Sequence, residues 1–323
     1  RQSGRPRIPT GSRSAEPPAP SGRRSLPPIL PTVPTPTLVD IVRLSTRFLS
    51  ERGSDSPRLD AELLAAHSLG LRRIDLYLQY DRPLGEEELE PVRALLRRRA
   101  GGEPVAYLVG EREFYGRSFR VTPDVLIPRP ETETLVERAL RWARATAGVA
   151  GEGLRLADAG TGSGCIACTL AAELPGAAVV AGDVSAAAVA VARDNAARLG
   201  VGERVTVVEG SWEAALAGHA PFDALLSNPP YVTSTEMVGL MREVRDHEPR
   251  IALEAGEEGL DAYRGLLRGC LPLVRPGGYL ALEIDPRRRD AVVALVEDGR
   301  PGSDVAVVDD LAGRPRVVEA RLA

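Results

Sequence analysis

The 323-residue chain has no lysine; all 41 of its basic residues are arginine, a bias that fits GC-rich coding and carries no mechanism. Histidine is nearly as scarce. His67, His219 and His247 are scattered without metal-ligand spacing, which excludes a zinc hydrolase, and no metal is expected. Three cysteines, an odd number, cannot build a disulfide framework. No apolar run approaches the roughly 18–20 residues of a membrane span, and no early apolar segment resembles the core of a signal peptide. A soluble cytoplasmic protein with no membrane partner is the expectation. What is present is ordinary globular composition, 43% hydrophobic and 27% charged, enough for one large domain or two modest ones.

Charge and proline are unevenly spread. Residues 1–36 carry six arginines against one glutamate, and ten of the 27 prolines, a composition that cannot offset the entropy of ordering. Residues 1–37 therefore read as a disordered tail, and the prolines oppose the amphipathic helix of an organelle transit segment. The rest holds 35 arginines against 44 acidic residues, a net charge of −9. That balance disfavours a substrate gripped by phosphate neutralisation.

From Leu38 the apolar residues Leu38, Ile41, Val42, Phe48 and Leu49 recur at helical spacing. Ser56-Pro57 reads as a capping serine and first-turn proline opening a second helix, with Leu59, Leu63, Leu64 and Ala66 inward. A short segment from Ile74 to Tyr80 and a helix ending in Arg97-Arg98-Arg99 complete a helical domain over 38–103. The arginine run suits a helix C-terminus better than an RNA-contacting patch. Residues 104–130 read as hairpin and linker, with Val105–Val109 and Phe114–Val121 extended, followed by a helix from Glu131 to Ala145. Over 131–323, apolar runs at Leu154–Ala157, Ala178–Ala181, Val205–Val208, Phe222–Leu226, Tyr279–Ile284, Val305–Val308 and Arg316–Ala320 alternate with helical stretches. The fold class expected is α/β, a doubly wound parallel sheet of seven strands. The connection Asp309–Pro315 is too short for a helical crossover, so the last two strands pair antiparallel.

The first of these strands runs into Asp158-Ala159-Gly160-Thr161-Gly162-Ser163-Gly164. Alternating glycines allow a tight turn on which a ligand touches backbone, although a purely structural turn accounts for such a triplet alone. Asp183 ends the next strand, 19 positions after Gly164, where a carboxylate can accept both ribose hydroxyls of an adenosine. The spacing departs from the G-x-G-x-x-G of dinucleotide sites. It suits S-adenosylmethionine, which has no phosphate and whose ammonium could meet Asp158 or nearby groups. Trp212 is placed to cover an adenine, or else is a core tryptophan. Cys165 and Cys168 form a C-x-x-C without thioredoxin-like context and read as packing residues.

The strand Phe222–Ser227 leads into Asn228-Pro229-Pro230-Tyr231 at the carboxyl edge, where open sheets bind ligands. An amide nitrogen is a poor nucleophile, so methylating one needs orientation more than a strong base. The Asn228 side-chain oxygen and the Pro229 carbonyl can accept both N–H bonds of a planar amide or amino group. Tyr231 can lie against its flat face, and Pro229 and Pro230 hold the acceptors still. No general base is obligatory, because the proton leaves after transfer.

Together these residues resemble the protein-(glutamine-N5) methyltransferase family in its release-factor branch. The resemblance spans about Leu38 to Ala323. It is carried by Asn228–Tyr231, Glu103-Pro104-Val105-Ala106-Tyr107-Leu108, Glu113-Phe114-Tyr115-Gly116, Ile127-Pro128-Arg129-Pro130-Glu131-Thr132-Glu133, Glu248-Pro249, Gly259–Tyr263 and Asp310-Leu311-Ala312-Gly313 with Arg316. It implies that Gly160, Thr161, Gly162, Ser163, Gly164, Asp183, Trp212 and Asn228 contact S-adenosylmethionine. It likewise implies that Asn228, Pro229, Pro230 and Tyr231 hold a glutamine of the Gly-Gly-Gln tripeptide of class I peptide chain release factors. Catalysis would rest on Asn228, Pro229 and Tyr231, with the helical domain recognising the release factor. A monomer without sequence-specific nucleic-acid binding is expected. Two departures stand out: Asp285-Pro286-Arg287-Arg288-Arg289 follows Glu283-Ile284 where the family has glycine, a candidate partner contact, and His247 replaces an aromatic. The rivals are an amino-group methyltransferase of adenine or cytosine, a non-catalytic adaptor, and a nicotinamide oxidoreductase.

Overall fold

A computed structural model describes residues 36–323; the expected tail lies outside the described residues, apart from its last two positions. The chain opens with five helices: α1 (Leu38–Ser50), α2 (Pro57–Leu69), α3 (Asp75–Leu78), α4 (Glu86–Ala100) and α5 (Val105–Val109). Leu38, Ile41 and Leu49 of α1 pack with Leu64 of α2, with Leu89, Val92 and Leu96 of α4, and with Leu108 of α5. Apolar periodicity locates α1 and α4 but misplaces part of α2. Leu59 is 40% exposed, and the inward side of α2 carries Asp60 and Glu62 instead. Both acids are neutralised in place: Asp60 accepts from Ser54 Oγ (2.7 Å) and Arg99 Nε (2.8 Å), Glu62 from Arg58 Nε (2.9 Å) and Arg73 Nε (2.7 Å). Ser56 sits at the N-cap of α2 but makes no capping bond, whereas Pro57 does occupy the first turn.

The arginine run at the end of α4 is spent on carboxylates. Arg97 pairs with Glu90 (2.6 Å) and Arg98 with Glu103 (2.8 Å). Arg99, largely buried, bridges Asp60 and Glu243 (2.5 Å), tying the helices to the rest of the chain. Removing one partner of a buried pair leaves the other charge uncompensated. Arg99→Ala should therefore cost about 3 kcal/mol of stability in urea unfolding; an unchanged midpoint would show that the bridge contributes nothing.

Val105–Val109, expected extended, is α5. A five-residue apolar run does not separate strand from helix by periodicity; Pro104 at its start and Gly110 at φ +78° at its end bound a single helical turn. The hairpin lies just beyond, β1 (Glu111–Phe114) against β2 (Arg117–Arg120). Tyr115 and Gly116 both have positive φ, the requirement of a tight hairpin turn that matches strand twist.

After α6 (Thr132–Ala147) come β3 (Arg155–Ala159), α7 (Cys165–Glu173), β4 (Ala178–Asp183), α8 (Ala186–Arg198), β5 (Val205–Glu209), α9 (Trp212–Leu216) and β6 (Phe222–Ser227). They are followed by α10 (Arg242–His247), α11 (Asp261–Cys270), β7 (Val274–Glu283), α12 (Arg289–Gly299), β8 (Asp304–Asp309) and β9 (Pro315–Arg321). The seven strands run in the order β5-β4-β3-β6-β7-β9-β8. β3 to β7 are mutually parallel, while β9 is antiparallel to both β7 and β8, as the short Asp309–Pro315 connection requires. Side chains from α6, α7 and α8 fill one face, and those from α9, α11 and α12 the other. The chain winds outward from β3 to β5 and then crosses back to β6, so the switch point lies between β3 and β6. A crevice at their carboxyl ends follows from that topology.

Candidate active site

The loop after β3 needs its glycines. Gly160, Gly162 and Gly164 all have positive φ, at +75°, +56° and +80°. Gly160 and Thr161 donate backbone N–H to the Gly182 carbonyl of β4 (2.8 and 2.9 Å), pinning the loop over the sheet edge. Thr161 and Ser163 are buried and shape the loop from beneath. Thr161 Oγ1 donates to Asp158 (2.6 Å), and Asn195 of α8 donates Nδ2 to the Ser163 carbonyl (2.8 Å) while pairing with the backbone of Arg120.

Above this loop lies a cavity of about 520 Å³, within the range of small-molecule sites. Gly160, Gly162, Asp183, Trp212, Asn228 and Pro230 line it, six of the residues anticipated from sequence. Asp124 to Leu126, Pro249 and Ile251, to which the sequence gives no part in the site, also line it. The Asp183 carboxylate accepts N–H from Gly162 (2.8 Å) and from Ser185 (2.9 Å), one bond on each oxygen. Each oxygen keeps acceptor capacity for a ligand. Trp212 is half-buried at φ +30°, a strained conformation for a tryptophan. Its ring packs closely on Gly265, where a Cβ would lie 3.2 Å from Nε1, while a Cβ on Gly160 would make ordinary contact at 3.5 Å from Cζ3. It both lines the cavity and packs on the core.

Asp158 does not reach the cavity. It is fully buried, held by Thr161 Oγ1 and the Ala167 N–H, and burial pushes its carboxyl up to about 7. Cys165 and Cys168 are buried thiols pushed up to about 12, again by burial, which suits packing rather than redox chemistry.

All six residues of β6 are buried, and the strand delivers Asn228 to the crevice. Asn228 Nδ2 donates to Thr132 Oγ1 (3.2 Å) at the start of α6, and that hydroxyl donates to Glu283 Oε2 (2.6 Å) at the end of β7. Glu283 is fully buried and burial pushes its carboxyl up to about 7, opposed by the Thr132 hydrogen bond and by Arg316. Thr132 and Glu283 stand inside motifs the sequence displays, yet nothing in their local pattern reveals the contact. A carboxylate closing an otherwise apolar strand at the ligand edge was the available signal. Glu248 is a third such residue: buried, it accepts from Arg129 Nη2 (2.6 Å) and from the Ile127 N–H (3.2 Å), fixing the segment that leads into α6.

Pro229 is buried behind Pro230, and Tyr231 is half-buried between two apolar clusters. Burial and the nearby Glu283 hold the Tyr231 phenol well above its ordinary value, so it stays protonated. The Tyr231 carbonyl depends on Gly259, which has φ +72° and on which a Cβ would lie 2.5 Å from that oxygen. Gly259→Ala should displace the Asn228–Tyr231 turn and lower turnover by about tenfold; wild-type turnover would show that the turn absorbs the methyl. The charges of Asp285–Arg289 are paired locally, with the Arg287 and Arg289 side chains about half exposed. Arg287 pairs with Asp285 (2.6 Å) and Glu236 (2.5 Å), Arg288 with Glu236 (2.8 Å), and Arg289 with Asp290 (2.7 Å).

Residues 40–110 match the PrmC N-terminal domain family and residues 147–246 the methyltransferase small domain family. The release factor glutamine methyltransferase of Chlorobaculum tepidum is 44% identical over 279 residues, 85% of this chain and 93% of the relative. That of Cereibacter sphaeroides is 45% identical over 283 residues, 88% and 98% of the two chains. The chain belongs to the release factor glutamine methyltransferase family. Membership makes it an S-adenosylmethionine-dependent methyltransferase. The solved structure of the hMettl16 catalytic domain in complex with the MAT2A 3′UTR hairpin 6 shares the fold alone, at TM-score 0.51 and 17% identity over 71% of this chain and 82% of that one. The residues fit the cofactor of the family. Asp183 has acceptor capacity to spare, Gly160 and Gly162 offer loop backbone to the cavity, and Trp212 borders it.

Proposed function

We propose that the chain transfers a methyl group from S-adenosylmethionine to N5 of the glutamine in the Gly-Gly-Gln motif of class I peptide chain release factors, supporting translation termination. The orientation of the Asn228 amide carries this reading. With Nδ2 engaged by Thr132, the amide oxygen is the atom left to accept an N–H from a substrate. A second acceptor, the Pro229 carbonyl, would take the other N–H, so that the nitrogen lone pair is aimed rather than made more basic. Pro229 and Pro230 hold both acceptors without reorganisation, and Tyr231 offers a flat face to the planar amide. Gly160 to Gly164, Asp183 and Trp212 would hold the cofactor. When bound, S-adenosylmethionine supplies an electrophilic methyl on a sulfonium; the proton on nitrogen departs afterwards.

The helical unit α1–α5 is proposed to grip the release factor, and the enzyme to act as a cytoplasmic monomer without sequence-specific nucleic-acid binding. The matched arginines of α4 and the net negative charge outside the tail support the last point. No helix among the described residues is long and apolar enough to cross a membrane. With labelled S-adenosylmethionine, label should enter a release factor and no DNA or RNA oligonucleotide. Label in adenine or cytosine instead would favour the amino-group methyltransferase reading, whose substrates pose the same orientation problem.

A further inference from the structure

We infer that Thr132 and Glu283 are positioning residues that decide which way the Asn228 amide faces. The inference rests on the reading of Asn228 as the acceptor for the glutamine amide and names what enforces it. An asparagine amide can turn over at little cost unless its hydrogen bonds forbid it, because its two ends have nearly the same shape. Here a chain of three groups forbids it. Burial raises the Glu283 carboxyl to about 7, so the lock holds once it is ionised, above neutrality; as a carboxylate it can only accept, and the single proton of the Thr132 hydroxyl then goes to Oε2 at 2.6 Å. The threonine oxygen then offers only lone pairs toward Asn228, 3.2 Å away, and that end of the amide must be NH2.

The turned-over amide is doubly wrong. It sets Oδ1 against the lone pairs of Thr132, and it presents a donor to a substrate NH2 that needs an acceptor. Water cannot repair the mismatch, since Thr132 and Glu283 are 2% and 1% exposed. The three residues are supplied by α6, β6 and β7, which the sheet brings together from separations of 96 and 151 positions. Tyr263 Oη fixes the last strand residue by donating to the Glu283 carbonyl (2.9 Å).

Thr132→Val keeps the shape and deletes the hydroxyl; Thr132→Ser keeps the hydroxyl. In the full-length enzyme, Thr132→Val should lower kcat by about tenfold or more, and Thr132→Ser by less than about threefold. The S-adenosylmethionine dissociation constant, measured by calorimetry, should stay within about twofold in both, as the hydroxyl does not border the cavity. Added to Asn228→Ala, Thr132→Val should cost nothing further, because its effect passes through the missing amide. Independently of turnover, the side-chain NH2 of Asn228 should exchange with solvent faster in Thr132→Val than in Thr132→Ser. Wild-type kcat in Thr132→Val, equal loss in both variants, a full additional loss on top of Asn228→Ala, or equal exchange would each overturn the inference. If Thr132→Val fails to fold, Glu283→Met tests the same point. Without its acceptor, the hydroxyl is free to donate to Asn228 Oδ1, so kcat should again fall by about tenfold, and wild-type kcat would overturn the inference. Asn228→Ala at wild-type turnover would instead bring down the underlying reading of Asn228.

Discussion

Replacing Asn228 with alanine should lower turnover by about 10²- to 10³-fold while leaving the S-adenosylmethionine dissociation constant within about threefold. The asymmetry follows from what the side chain does. Asn228 is one of many residues bordering the cavity, among them Gly160, Gly162, Asp183, Trp212 and the Asp124 to Leu126 segment, so its loss removes little cofactor contact. The reacting nitrogen, by contrast, has its lone pair delocalised into its own carbonyl and gains reactivity from being held in one orientation. An alanine leaves the Thr132–Glu283 pair intact but offers no acceptor, and the amide samples unproductive rotations. Single-turnover methylation of a release factor measures the rate, and calorimetry the affinity. Equal losses in both would make Asn228 a cofactor-binding residue; no loss in rate would remove it from the reaction.

Asp183→Ala should have the converse signature, weakening cofactor binding by about 1.5–3 kcal/mol, or roughly 10- to 150-fold. The carboxylate spends one lone pair of each oxygen on Gly162 and Ser185, which orients it and leaves acceptor capacity for two ribose hydroxyls. Alanine loses the ligand bonds and also releases the Gly162 N–H that shapes the loop. Asp183→Asn separates these effects, since one oxygen can still accept from the loop, and should fall between wild type and alanine. Saturating cofactor should restore most of the turnover. An unaltered dissociation constant in Asp183→Ala would reject the ribose assignment.

The parts of this site visible in the sequence are those written in a local stretch of chain. Gly160, Gly162 and Gly164 were legible because each occupies a positive φ that other residues adopt at a cost, and Asp183 because it closes the next strand of the sheet. Asn228 was legible because two prolines follow it directly. The sheet itself was readable from apolar runs, and the antiparallel last pair from a connection too short to cross over. Contacts assembled by the fold left no such mark. Thr132 and Glu283 meet Asn228 only when α6 and β7 flank β6, and Arg99 reaches Glu243 across 144 positions. Between Asp158 and the groups near it the sequence does not choose: a carboxylate beside a glycine loop looks available, but the loop folds over it and Thr161 holds it inside. Buried Asp60 and Glu62 hid the inward side of α2, since hydrophobic periodicity has no entry point for an acid neutralised by distant arginines.

The most direct measurement is to incubate the purified enzyme with labelled S-adenosylmethionine and a class I release factor, beside a matched factor whose Gly-Gly-Gln glutamine is replaced, and to locate the label by peptide mass mapping. One methyl on that glutamine, absent from the replaced factor, is the predicted result. Equal labelling of both factors, or cofactor binding without labelling of either, would contradict it.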